Sequence, residues 1–73
     1  MLRQYSEQEK HQNYLAILED IDSCETEDEL DDVSDTIDQF LYYGKITKVQ
    51  ARSLNEAIDD QLSYLIEQEL KEE

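Results

Sequence analysis

The side chains of this sequence best placed to do chemistry are carboxylates. Asp28, Asp31, Asp32, Asp35 and Asp38 recur at steps of three and four, and Glu56, Asp59, Asp60 and Glu67 follow nearly the same pattern further on. Carboxylates at such spacing can act as general acid and base, ligate a cation, or present fixed negative charge. The first use needs a pocket and partner groups. The sequence has no Gly-rich phosphate loop and no Ser/His/Asp set with an elbow, and a core of this size leaves no room for an enclosed cavity, so neither catalysis nor a cofactor is expected. The second use needs a ligand geometry. Asp20 and Asp22 stand near Ca²⁺-loop spacing, but Glu25 replaces the required central Gly and Asp31 the bidentate Glu, so no metal site is expected. His11 has no second His and Cys24 no second Cys, which excludes a structural zinc and a triad and leaves His11 as a surface residue of the first helix. The acids around Cys24 raise a thiol pKa and argue against a reactive thiolate.

Fixed charge remains. Twenty acids against six bases give a formal net charge of −14 on 73 residues, and between Glu19 and Asp38 there is no Lys or Arg at all. Such a chain repels itself when it folds, and it repels other polyanions, so direct binding to nucleic acid or to an anionic membrane is not expected. A partner chosen by charge is basic. Side chains one helical turn apart are separated by ~5–6 Å, close to the ~7 Å between phosphates of one DNA strand, so a folded ladder of acids can offer a basic groove what nucleic acid offers it. The alternative is that the acids form a solvated face and secure solubility. That explains polar residues but not the near absence of Lys and Arg, since Glu-to-Lys pairs would stabilise the same helices better.

The elements that hold these ladders are helices. Ser6 to Glu9, Thr26 to Glu29 and Thr47 to Gln50 each have the form of a capping box, and Glu27, Asp28 and Glu29 sit at the positive end of a helix dipole. Apolar residues recur at helical spacing behind each start. They are Tyr14, Ile17, Leu18 and Ile21; then Leu30, Val33, Ile37, Phe40 and Leu41; then Val49, Leu54, Ala57, Ile58, Leu62, Leu65, Ile66 and Leu70. Gly44, the single glycine, stands where a left-handed residue would close the second helix, and Ile46 is placed to staple onto Ala51. Helices are expected at about 7–22, 27–43 and 48–70. With no proline and no alternating run, the fold class is all-α, a three-helix antiparallel bundle forming one domain over residues 1–73.

A chain this short buries a thin core, and it has neither a disulfide nor a metal to support it, so self-association is the expected remedy. The C-terminal part of the long third helix, with Tyr64, Leu65, Ile66 and Leu70, is the expected seam of a homodimer. Tyr42 and Tyr43 at the end of the second helix, with Tyr64 and Ile66, are the candidate interface anchors, because tyrosine suits a site that is buried at one end and wet at the other. Lys45, Lys48 and Arg52 form the one basic cluster, read either as a contact for a second copy or as a local Arg52–Glu56 pair. A lone Cys and the absence of a signal-like or membrane-spanning run point to the cytoplasm.

In size, charge, helical patterning and lack of catalytic groups, the chain resembles the small acidic phage proteins that disable host machinery, among them DNA mimics, anti-CRISPR proteins and inhibitors of the replicative sliding clamp. Gln61-Leu62-Ser63-Tyr64-Leu65 is similar to the clamp-binding pattern Gln-Leu-Ser/Asp-Leu-Phe at its first three positions, although it lies inside the third helix, whereas those peptides bind extended. The resemblance implies a non-enzymatic inhibitor in the host cytoplasm that occupies a basic, nucleic-acid-binding surface of a host protein such as a nuclease or replication clamp. The reading from another class is a helical dimeric adaptor whose charge serves solubility alone.

Overall fold

Each helix starts on a threonine or serine hydroxyl that accepts from an otherwise unpaired backbone N–H. In the computed structural model, which describes residues 4–71, Ser6 Oγ accepts from Glu9 N–H at 3.1 Å and the Glu9 carboxylate accepts from Ser6 N–H at 3.2 Å, which starts α1 (Glu7–Ser23). Thr47 and Gln50 make the same reciprocal pair, at 3.0 and 2.9 Å, at the head of α3 (Lys48–Lys71). The middle box is half made. Thr26 Oγ1 accepts from Glu29 N–H at 3.2 Å, but the Glu29 carboxylate turns to the Thr26 hydroxyl at 3.5 Å rather than to its backbone, at the start of α2 (Glu27–Tyr42).

The helix ends differ in kind. At the end of α2, Gly44 takes φ +74°, its N–H donates to Leu41 C=O at 3.1 Å, and Lys45 N–H donates to Phe40 C=O at 2.8 Å. This is a Schellman close, and the Lys45 ammonium lies 4.9 Å above the Phe40 ring, so the contact that completes the motif is also a cation–π one. The end of α1 uses no glycine. Cys24 leaves the helix in extended geometry, its thiol donates to Asp20 C=O at 3.1 Å, and Gln61 of α3 donates to Cys24 C=O at 3.1 Å.

Two antiparallel connections make α1 and α3 parallel, and α3 packs against both of the others more extensively than they pack against each other. The core is Ile17, Ile21 and Cys24 from α1 and its exit, Leu30 and Ile37 from α2, Ile46 from the turn, and Ala51 and Leu54 from α3. One sequence expectation needs correction and another needs an addition. Val49 is 77% exposed, not part of the α3 stripe, because it falls about 180° round the helix from Ile58; Ala51 and Leu54 hold the buried positions instead. Cys24 stands outside the helices among acids, as expected, and its 5% exposure adds it to the core.

The molecule measures 52 × 19 × 16 Å. The longest element is α3, whose 24 residues span about 36 Å of axis against 16 or 17 residues in the other two helices. Among the described residues no helix is long and apolar enough to cross a membrane.

Candidate functional site

The ladders stand where their helices can hold them rigidly and water can reach them. Asp28, Asp31, Asp32, Asp35 and Asp38 are exposed along α2, opposite Leu30 and Ile37, and Glu56, Asp59, Asp60 and Glu67 are exposed along α3, opposite Leu54. The span from Asp28 to Asp38 is about 15 Å, and that from Glu56 to Glu67 is similar. Among the described residues no ion pair engages any of the nine. Arg52, which could have paired with Glu56 one turn on, does not do so.

Each ladder is centred opposite its own helix's buried stripe. In a bundle the buried stripes converge on one core, so the ladders diverge from it, and the two present two negative faces rather than one continuous sheet. A partner that meets both must therefore wrap the bundle, or meet them where the helices come together at an end.

The ends are unlike in charge. Lys10 near the start of α1, Lys45 in the α2–α3 turn, and Lys48 and Arg52 in the first turns of α3 share one end, which Asn13 and Tyr14 tie together. Asn13 Nδ2 donates to Lys45 C=O at 2.9 Å, and the Tyr14 and Ser53 hydroxyls are 3.2 Å apart. At the other end Asp20, Asp22, Glu25, Glu27, Asp28, Glu29, Glu67 and Glu69 surround the α1–α2 connector and the last turns of α3. Four bases thus gather at one end, beside Glu7 and Glu9 of the first turn of α1, while acids crowd the other. Helical periodicity within single elements could not show this, since it depends on which helix ends meet.

The four candidate anchors are exposed but do not form one patch. Tyr42 (74% exposed) and Tyr43 (45%) meet edge to face, ring centroids 5.1 Å apart, at the basic end. They lie beside Tyr5, Lys10 and Leu41 around a shallow open pocket. Tyr64 (54%) and Ile66 (42%) lie on the acidic half of α3. Positions two apart on a helix differ by about 200° in direction, so Tyr64 and Ile66 look to opposite flanks. Ile66 and Leu70, one turn apart, share a flank, and Leu70 is 75% exposed.

Beside that flank lies an open groove of about 460 Å³. Leu65 and Ile66 line it from α3, and Glu25, Glu27, Asp28 and Glu69 surround them. The sequence showed Glu25 and Glu27 only as a loop acid and a capping-turn acid. That the connector faces the last turns of α3 follows from helix lengths and from the Gln61–Cys24 bond, neither of which a local pattern carries.

The remaining reactive group is the Cys24 thiol. Burial, then the negative charges of Glu29, Asp20 and Asp32, push its pKa up, so it is a protonated thiol at neutral pH and a poor nucleophile. His11 is exposed and stacks on Tyr14, centroids 6.3 Å apart. Among the described residues no three His, Cys, Asp or Glu side chains are grouped to hold a metal ion. No protein-family model matches this chain, and neither a curated protein nor a solved structure matches it.

Proposed function

We propose that the chain is a non-enzymatic inhibitor that binds a basic, nucleic-acid-binding surface of another protein, a nuclease or a replication clamp of a phage-infected cell being the type of target its resemblance suggests. The observation that carries the reading is the pair of acid ladders, nine exposed carboxylates on two capped helices with no base paired to them among the described residues. In water two such charges ~6 Å apart repel by somewhat under ~1 kcal/mol before salt screening, so each ladder costs a thin-cored domain stability that mixed charge would have spared it. A basic partner turns that cost into attraction. Steering by the field of −14 makes association fast and salt-sensitive, while tyrosine and apolar contacts supply specificity. The protein binds no nucleic acid itself in this reading and works in the cytoplasm.

The test is competition. The protein used as bait in a lysate should recover DNA-binding proteins, and duplex DNA or raised salt should release them. Recovery only of neutral or acidic partners that DNA leaves in place would sink the reading. The second reading, a helical adaptor with charge for solubility, is favoured by one observation, the exposed Tyr64, Ile66 and Leu70. It predicts that Asp31, Asp35 and Asp38 can all become Lys without loss of partners, whereas Tyr64→Ala or Ile66→Ala abolishes capture.

A further inference from the structure

We propose that the groove between the α1–α2 connector and the last turns of α3 seats a basic amphipathic helix of the partner protein. The inference rests on the mimicry reading for the sign of the partner's charge and adds the place and kind of its apolar contact.

The end of the bundle is unfinished on one side. Gln61 bonds Cys24 C=O, so α1 stops level with Gln61, yet α3 continues to Lys71, about 15 Å further along its axis. Over that length α3 keeps an apolar flank, Leu65 half-buried, Ile66 and Leu70 exposed, with no other described residue covering Ile66 and Leu70. A flank whose exposed apolar residues, Ile66 and Leu70, stand one helical turn apart is complementary to another helix, whose own ridge fits between them. An extended strand would match a two-residue period instead.

Charge selects the occupant. Glu25, Glu27, Asp28 and Glu69 line the groove, and among the described residues no Lys or Arg does. A helix with Leu-type residues on one face and Lys or Arg on its borders would bury the first against Leu65, Ile66 and Leu70 and pair the second with the surrounding acids. The same face of a second copy would bring like charges together, and the net charge of −14 on each chain opposes that pairing at long range too. Pairing along the outward face of α3 fares no better. An antiparallel match that sets Arg52 against Glu67 also sets Asp59 and Asp60 against their own counterparts in the middle of the seam.

The experiment uses the intact chain and two synthetic peptides about five turns long, one with Leu at the i, i+3, i+4, i+7 positions and Lys elsewhere, the other with each Leu replaced by Ser. Titration calorimetry should show the Leu/Lys peptide binding at least about tenfold more tightly than its Ser counterpart. The double variant Ile66→Ser, Leu70→Ser should lose that preference while keeping its helical circular dichroism, since both side chains are exposed. A ladder variant away from the groove, Asp35→Asn with Asp38→Asn, should weaken both peptides alike and keep the preference. Equal affinity for the two peptides, or an unchanged preference in the Ser variant, would overturn the inference. So would sedimentation showing a dimer that the Ser variant dissolves, which assigns the groove to a second copy. These outcomes are read separately from those for mimicry, which fails if lysate capture yields only partners that DNA leaves in place, or if reversing the ladders leaves DNA-displaceable partners bound.

Discussion

The two ends of this bundle are built on opposite plans. At the basic end a Schellman turn, two reciprocal capping boxes, a cation–π contact and two long-range hydrogen bonds, Asn13 to Lys45 and Tyr14 to Ser53, hold three helix termini together. At the acidic end one bond, Gln61 to Cys24, joins the connector to α3, the capping box is half made, and the last turns of α3 run out with apolar residues exposed. The contrast teaches where this chain spends its few good interactions. Order is secured at one end, and at the other, charge and apolar surface are left available.

The largest test of that contrast is cavity formation. Leu54 is fully buried on the segment of α3 near the basic end, and Leu54→Ala should cost ~2–5 kcal/mol, a large share of the stability of a domain this size. Leu65, half-buried at the far end, should cost well under half as much as Ala. Urea unfolding followed by circular dichroism reads both. Equal losses would mean that the two ends are packed alike and would break the comparison.

Gly44→Ala is the next effect in size. A Cβ there meets nothing within 4 Å, so the whole cost is that of holding alanine at φ +74°, about 1–2 kcal/mol. The same urea experiment should show that loss with an unchanged slope against denaturant. A change within error would mean that the turn adjusts and that the basic end is less rigid than its bonds imply.

The acidic end has its own probe in Cys24. Its thiol pKa is raised in the folded chain, so the stability linked to the protonated thiol is fully present at neutral pH and is lost as pH rises from the ordinary thiol range through the raised folded value. Cys24→Ala should be less stable at pH 7 but should lack that alkaline decline, and the native thiol should react slowly with a disulfide reagent until the chain unfolds. Fast labelling at neutral pH would place the thiol at the surface and the connector off α3.

Much of this was legible in the residues because helix signals are local. Ser6, Thr26, Thr47 and Gly44 each act within a turn of their own position, so all three helices were placed to within a residue or so, and the ladders followed from steps of three and four. What escaped depends on distance in the chain. Val49 passed for core because it is apolar and one turn from the staple at Ile46, and only the direction in which α3 faces its neighbours sends it to solvent. The burial of Cys24 escaped because nothing near it reveals that Gln61, on another helix, pins the connector down. The groove and the gathering of bases at one end depend on how far each helix runs and which ends meet, whereas the separation of Tyr64 from Ile66 follows from their two-residue spacing and was open to a local reading.

The smallest effect on stability is the most telling for function. Asp35→Lys places a base four residues after Asp31 and three before Asp38, so it replaces like-charge neighbours with two attractive ones on an exposed face of α2. Pairs of this kind stabilise a helix by ~0.2–0.5 kcal/mol, and the gain shrinks in high salt. The variant should therefore unfold at slightly higher urea at low ionic strength, with the advantage fading as salt is added. If the ladder exists for solubility alone, that gain comes with no loss of partner. If the ladder is the binding face, the same substitution strengthens the fold and weakens capture of DNA-displaceable proteins. A residue whose replacement helps the fold and harms the contact is one the fold does not require, which separates a ladder kept for a partner from one kept for water.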